Sequence, residues 1–240
     1  MHNNIPPRVF DALPDNLKQV AAQVLEITGI GTKALPFTAQ FLEEQPGFAR
    51  AEGVIDIDPE RHAITIWYDP DKVTASAIGH ELIHLRRNIV EGVPKLFHFD
   101  NASPVLQFAV NEWENELEHL IVVPEQLKAF PEAKAWWAEH YSALVDRDKA
   151  DESGLMFAWS FIRNVLPDEV GLAQRCKVLL NKYQIAMRAD YLRADLKKAG
   201  ADKAELIHAL LQFFPDIKNQ VGVGRYVVID HKLTVKPVDQ

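Results

Sequence analysis

The sequence has very little cysteine, with one residue, Cys176, in a chain of 240. A lone cysteine excludes a disulfide within the chain and any zinc site made of several thiolates, so a metal here would need histidine and carboxylate ligands. Long apolar runs are also missing, and none approaches the roughly 18 residues that a membrane-spanning helix needs. The N-terminus lacks the charged-then-apolar pattern of a secretory signal. We therefore expect a cytoplasmic protein with no membrane partner.

Basic residues are in the minority, with 26 Lys and Arg against 34 Asp and Glu and a net charge of −8. A surface that binds nucleic acid must cluster positive side chains to neutralise phosphates. The composition therefore predicts that the chain binds no nucleic acid directly. A hydrophobic content of 48% is typical of a packed globular protein.

The spacing of apolar residues predicts an α+β fold that is predominantly helical. The first fourteen residues contain three prolines, and we expect them to be an extended lead-in to a helix that begins near Asp15 and ends at Gly29. Two β-branched runs between residues 53 and 68 predict a β-hairpin with its turn at 58–61.

The rest of the chain is predicted to be mainly helical. A helix through residues 73–89 is ended by Gly92 and Pro94, and a loop at 95–101 follows it. The next helix is long, begins at Ser103 or Pro104 and is closed by Pro124. Further helices are expected from 125 to 215, and alternation between residues 225 and 236 predicts a second hairpin.

The helix at 73–89 carries the strongest functional signal, His80-Glu81-Leu82-Ile83-His84. Residues four apart lie on one face of a helix, so both imidazoles can bind one Zn²⁺ ion. Glu81 then lies beside the metal, where it can act as general base on a metal-activated water. This pattern favours a zinc-dependent peptidase that hydrolyses a peptide bond in a peptide or protein substrate.

A zinc enzyme needs a third protein ligand, and the long helix after residue 103 offers the densest group of ligand-type side chains. Steps of 100° place Glu112, Glu116 and His119 on one stripe of this helix, with Asn115 on its flank. The sequence leaves all three stripe residues open as third ligand, and we expect one of them to serve. Glu114 and Glu118 point elsewhere and are expected to be exposed to solvent.

The HELIH motif and a second helix that ends in Leu120-Ile-Val-Val-Pro124 resemble the ImmA/IrrE family of prokaryotic metalloproteases, within the gluzincin class of zincins. The resemblance covers roughly residues 50 to 130. It implies that a Glu on the second helix completes the zinc site and that an Asn follows one turn later. Counting back from Pro124 puts the family's ligand position at Asn111 and its Asn at Asn115, so Glu112 would need a one-residue shift.

The resemblance also implies a domain plan. Residues 1–130 are expected to form a small zincin-like core, in which a β-hairpin precedes the HExxH helix and the second ligand helix. Residues 131–240 are expected to be a helical extension with a C-terminal hairpin, packed on the core as one globular unit. In zincins generally, a strand edge beside the motif helix holds an extended substrate.

The sequence offers further candidate residues and one alternative function. Tyr68, His98 and Asp100 could line the cleft and stabilise an oxyanion. Cys176 is expected to be a small buried filler. The large helical C-terminal half motivates an alternative function, a non-catalytic regulatory or metal-binding module with a zincin fold. The sequence leaves the oligomeric state open.

Overall fold

A computed structural model describes residues 5–44, 51–99, 101–146 and 151–238, and its fold is α+β and predominantly helical, as predicted. The elements before residue 95 are, in order, α1 Pro7–Asp11, α2 Asp15–Lys18, α3 Val20–Thr28, β1 Thr32–Pro36, α4 Ala39–Glu44, β2 Gly53–Asp58, β3 Ala63–Tyr68 and α5 Ala75–Leu85. A π-helical turn, Arg86–Val90, extends α5. Among the described residues, no helix has both the length and the apolar character needed to cross a membrane.

The remaining elements are mainly helices, as expected. They are β4 Lys95–His98, α6 Pro104–Ala129, α7 Ala133–Val145, α8 Glu152–Val165, α9 Val170–Lys182, α10 Ala186–Ala199, α11 Lys203–Phe213, a 3₁₀ turn Pro215–Ile217, β5 Val221–Ile229 and β6 Lys232–Pro237. The chain divides into two compact units, the residues up to Pro94 together with those from Gly224 onward, and Lys95–Val223. The predicted domain plan, with a core of residues 1–130 and a helical extension of residues 131–240, stays a prediction.

The first unit contains a three-stranded sheet in the order β1-β3-β2. The predicted hairpin is confirmed, because β2 and β3 are antiparallel with Gly53 opposite Tyr68 and Asp58 opposite Ala63. Strand β1 pairs in parallel with β3, from Thr32 opposite Ile64 onward, and was not predicted. The buried side chains of Ile64 and Ile66 belong to the core of this unit, as do Ile78 and Leu82 of α5.

Helix α3 ends where the sequence predicted. Gly29 is its C-cap with φ 71°, in the left-handed region that glycine adopts without a steric penalty. The expected extended lead-in is only partly correct, because Pro7–Asp11 form a short helix. Proline is tolerated at the first position of a helix, where its missing N–H would have no partner in any case.

Two predictions in the second unit are wrong. The expected loop after Pro94 contains a strand, β4, which neighbours β5. The predicted C-terminal hairpin, by contrast, is confirmed: β5 and β6 are antiparallel with Gly224 opposite Pro237, and these residues belong to the first unit. Helix α6 does not stop at Pro124 but continues through it to Ala129. Val122, Val123 and Gln126 are buried on both sides of the proline. Their packing offsets the backbone hydrogen bond that Pro124 cannot make.

The second unit has a core of aromatic and aliphatic side chains. Its fully buried members include Val110, Leu117, Tyr141, Leu155, Phe161 and Leu206. The Tyr141 and Phe161 rings are stacked with centroids 4.1 Å apart. Cys176 is buried here, and burial raises the pKa of its thiol to about 12, in accord with the expected role as filler.

Candidate metal centre

The HELIH segment lies in the C-terminal half of α5, where every residue from Ser76 to Leu85 is buried. Thr74 is the N-cap of this helix, and its hydroxyl accepts a hydrogen bond from the Ala77 amide at 3.0 Å. The helix continues into a π-helical turn, in which the Glu91 amide donates to the Arg86 carbonyl at 2.9 Å. Such turns are frequent at functional sites because they shift the helical register locally.

His80 and His84 direct their imidazoles at one another, as the i, i+4 spacing predicts. Their Nε2 atoms are 3.0 Å apart, and the ring planes are inclined by 79°. Metal–nitrogen bonds are about 2.0–2.1 Å long, so two nitrogen atoms 3.0 Å apart could both bind one metal ion.

His119 completes a group of three buried histidines. The ligand nitrogen atoms of His80, His84 and His119 all lie within 4.8 Å of one another. In the part of the chain that the structure describes, this is the one group of three or more His, Cys, Asp or Glu side chains close enough to hold a metal ion. Three neutral imidazoles suit Zn²⁺ and other divalent transition metals.

Glu81 lies next to the first histidine and is 7% exposed. Its Oε2 accepts a hydrogen bond from the Ile55 amide of β2 at 2.8 Å. Burial raises the pKa of Glu81 to about 8, although the hydrogen bond from Ile55 acts in the opposite direction. A divalent cation on neighbouring imidazoles would favour the charged carboxylate and so lower this pKa.

The other stripe residues of α6 have different environments from His119. Glu112 and Asn115 are exposed. Glu116 accepts a hydrogen bond from the Tyr141 hydroxyl at 2.7 Å. Burial raises the pKa of Glu116 to about 7, and the charge of Glu112 adds to this effect.

Glu114 and Glu118 are not exposed to solvent as expected, and that prediction is wrong. Glu118 is 3% exposed. The Lys203 Nζ atom lies 3.0 Å from a carboxylate oxygen of each glutamate. Burial without such a partner would be costly for both carboxylates. Lys203 is 89 residues from Glu114 in the sequence, so the spacing of residues within α6 did not reveal this partner.

The predicted cleft residues are not members of the histidine group. Tyr68 is 6% exposed, and its carbonyl accepts a hydrogen bond from the Phe37 amide at 2.8 Å. His98 is half-buried, with Nδ1 3.4 Å from the Phe99 carbonyl oxygen. Asp100 lies outside the described residues. Their roles in an oxyanion site stay predictions.

Two features close to the site were not found from the sequence. Gly53 of β2 lies against Glu81, since a Cβ at this glycine would be 3.4 Å from Glu81 Cγ. The Trp137 ring of α7 lies against the His119 imidazole. Neither residue has a spacing relation to the motif, because both approach it from another element of the fold.

No protein-family model matches this chain, and no curated protein or solved structure shows a significant similarity to it.

Proposed function

We propose that this chain is a zinc-dependent peptidase whose metal is held by His80, His84 and His119. The observation that carries the proposal is the gathering of three buried imidazoles beside a buried glutamate, in a helix with HExxH spacing. The zincin-like core and the resemblance to the ImmA/IrrE family are part of the proposal. His119 is proposed as third ligand in preference to Glu112 and Glu116, because Glu112 is exposed and Glu116 is bound by Tyr141.

A zinc ion bound here supplies a Lewis acid, which lowers the pKa of water and polarises a carbonyl oxygen. Glu81 is the general base of the proposed reaction. Its Oε2 is held by the Ile55 amide, so Oε1 is the oxygen that we assign to proton transfer. Glu81 takes the proton from the attacking water and returns it to the leaving amine nitrogen.

The burial of the site is consistent with this role. His80, Glu81, His84 and His119 are each between 5% and 8% exposed. Electrostatic interactions are stronger where water is excluded. The interaction between Glu81 and the charge that develops on the substrate carbonyl would therefore be strong. A Lewis acid beside a general base suits hydrolysis, and we propose a peptide bond in a protein or peptide as the bond that is cleaved.

The experiment is metal analysis followed by a cleavage assay on the full-length chain. We expect one zinc per chain in the wild type and in Glu81→Gln, which removes the base but leaves all three imidazoles. A complex peptide library read by mass spectrometry, with and without a chelator, should show zinc-dependent cleavage by the wild type alone.

Each result of this experiment has a distinct meaning. Full cleavage by Glu81→Gln would contradict the mechanism. A stoichiometric metal without cleavage of any peptide would overturn the peptidase and favour the non-catalytic metal-binding module. A chain that binds no metal would overturn both functions.

A further inference from the structure

The imidazole of His119 lies against the indole of Trp137. The two ring centroids are 4.9 Å apart and the planes are inclined by 67°, so that the edge of one ring meets the face of the other. Both side chains are buried, with exposures of 8% for His119 and 3% for Trp137. A contact of this kind restricts the rotation of the imidazole about its side-chain bonds.

Trp137 is itself fixed by a hydrogen bond from its indole nitrogen. Nε1 donates to Oε1 of Gln126 at 2.9 Å, and Gln126 is 4% exposed. Gln126 is seven residues after His119, so the two side chains lie on the same face of α6 two turns apart. This arrangement exists only because α6 continues through Pro124.

The rest of the indole is enclosed by other rings of the same unit. The Phe161 ring centroid is 5.5 Å from that of Trp137, and the Tyr141 centroid is 6.3 Å away. Trp137 therefore has a single position, set by Gln126 on one side and by aromatic packing on the other. His119 in turn rests on a side chain that cannot easily move.

We propose that Trp137, held by Gln126, is a positioning residue that fixes the His119 imidazole for metal binding. The proposal rests on the proposed function, since it assigns a role within that metal site. Residues that orient a metal ligand typically change metal affinity by 10- to 100-fold when they are replaced. A looser ligand also changes the geometry of the centre, and this can be observed independently of catalysis.

The test measures zinc affinity by competition with a chromogenic chelator, and the visible absorption spectrum of the Co²⁺-substituted full-length protein. We expect Trp137→Phe to bind zinc about tenfold more weakly than the wild type and to shift the Co²⁺ absorption bands. Gln126→Leu should have a smaller effect in the same direction. The double variant should be no weaker than Trp137→Phe alone, because Gln126 acts through Trp137.

Trp159→Phe is the matched control. Trp159 is 8% exposed and its indole nitrogen donates to Asp190 at 2.8 Å, so the control also removes the indole hydrogen bond of a buried tryptophan. We expect a comparable loss of thermal stability in Trp159→Phe but wild-type zinc affinity and an unchanged Co²⁺ spectrum. A merely structural role of Trp137 would give the two variants the same metal properties.

The outcomes separate this proposal from the proposed function. If the wild type binds zinc and both Trp137→Phe and Gln126→Leu bind it equally well with the same Co²⁺ spectrum, the positioning role is wrong and the metal site stands. If the wild type binds neither metal, both are wrong. Should Trp137→Phe fail to fold, the Gln126→Leu spectrum decides, since this variant retains the aromatic core.

Discussion

The Glu81 carboxylate and the Ile55 amide, on α5 and β2, are joined by a hydrogen bond of 2.8 Å. In an antiparallel pair, successive residues direct their amides alternately toward and away from the partner strand. Ile55 therefore directs its amide away from β3 to reach Glu81. A substrate strand that adds to this edge of β2 would have to pair at other residues, because Glu81 already occupies the Ile55 position.

The contact between Gly53 and Glu81 gives a first prediction. A Cβ at Gly53 would already be in van der Waals contact with Glu81 Cγ at 3.4 Å and with the Trp67 carbonyl oxygen at 3.6 Å, so we expect the two methyl groups beyond it in Gly53→Val to displace Glu81. We expect this variant to retain zinc and to cleave peptides at least about tenfold more slowly, because small displacements of a catalytic group are costly. The measurement is kcat together with zinc content.

Gly31→Val is the control for that variant. A Cβ at Gly31 would meet no atom within 4 Å, so its activity should equal that of the wild type. Equal rates for Gly53→Val and the wild type would show that this glycine has no part in placing Glu81.

The motif helix was predictable because its signals are local. The i, i+4 histidines, the Thr74 cap and the apolar residues Ile78 and Leu82 all lie within a few turns of one another. The hairpin of β2 and β3 was predictable for the same reason, since its turn and both strands are adjacent in sequence. Local patterns of this kind are sufficient to predict a helix or a hairpin without knowledge of its tertiary contacts.

The choice among the stripe residues of α6 depends on contacts that are distant in sequence. Lys203 lies 89 residues from Glu114, yet its ammonium group binds both Glu114 and Glu118 and so fixes which side of α6 is buried. The helical periodicity predicted that Glu112, Glu116 and His119 share one face of α6, but it could not predict which of them is buried. Along the stripe, Glu112 is exposed, whereas His119 is buried against Trp137 of α7.

The assignment of the third ligand can be tested by comparing two alanine variants of α6. We expect His119→Ala to bind zinc more than about 100-fold more weakly, a larger effect than the loss of an orienting residue. Glu112→Ala should bind zinc as the wild type does, because its side chain is exposed. Zinc should also raise the thermal unfolding temperature of Glu112→Ala, since a ligand that binds only the folded state stabilises it.

This comparison has a clear opposite result. Wild-type zinc affinity in His119→Ala, together with a loss in Glu112→Ala, would assign the third ligand to Glu112. The titration should use metal-free protein and buffered zinc, so that the two affinities are compared under the same conditions.

The Glu116 carboxyl makes stability depend on pH. Burial raises its pKa from 4.5 to about 7, so the folded state holds a proton that the unfolded state releases. The free energy of unfolding should therefore fall as the pH rises from about 4.5 to about 7. One pKa unit corresponds to about 1.4 kcal/mol, so we expect a loss on the order of 1–3 kcal/mol.

Glu116→Gln isolates this contribution. The amide oxygen can still accept the hydrogen bond from Tyr141 but does not titrate, so urea unfolding should depend less on pH in this interval than in the wild type. Glu112→Gln, which removes only a neighbouring exposed charge, should keep most of the wild-type slope. Identical slopes for Glu116→Gln and the wild type would mean that Glu116 titrates normally.

The Lys203 side chain is the subject of the last prediction. It is 1% exposed and lies 3.0 Å from carboxylate oxygens of both Glu114 and Glu118. Lys203→Met would leave the two carboxylates buried without a counter-charge, which typically costs about 3–5 kcal/mol of unfolding free energy. Burial raises the pKa of Glu114 and the Lys203 charge opposes this, so the pKa of Glu114 rises further without the ammonium group, and the loss should be larger at pH 8 than at pH 5.

Lys134→Met shows what the same substitution costs at the surface. Lys134 pairs with Asp168 at 3.2 Å, but the two side chains are 39% and 81% exposed, so we expect a change of less than about 1 kcal/mol at either pH. If Lys203→Met lowered the unfolding free energy as little as Lys134→Met, the ion pairs of Lys203 with Glu114 and Glu118 would not be needed to hold α6 in place. A large and pH-dependent loss of unfolding free energy in Lys203→Met alone would mean that α11 stabilises α6, the helix that carries His119, through the Lys203 ion pairs.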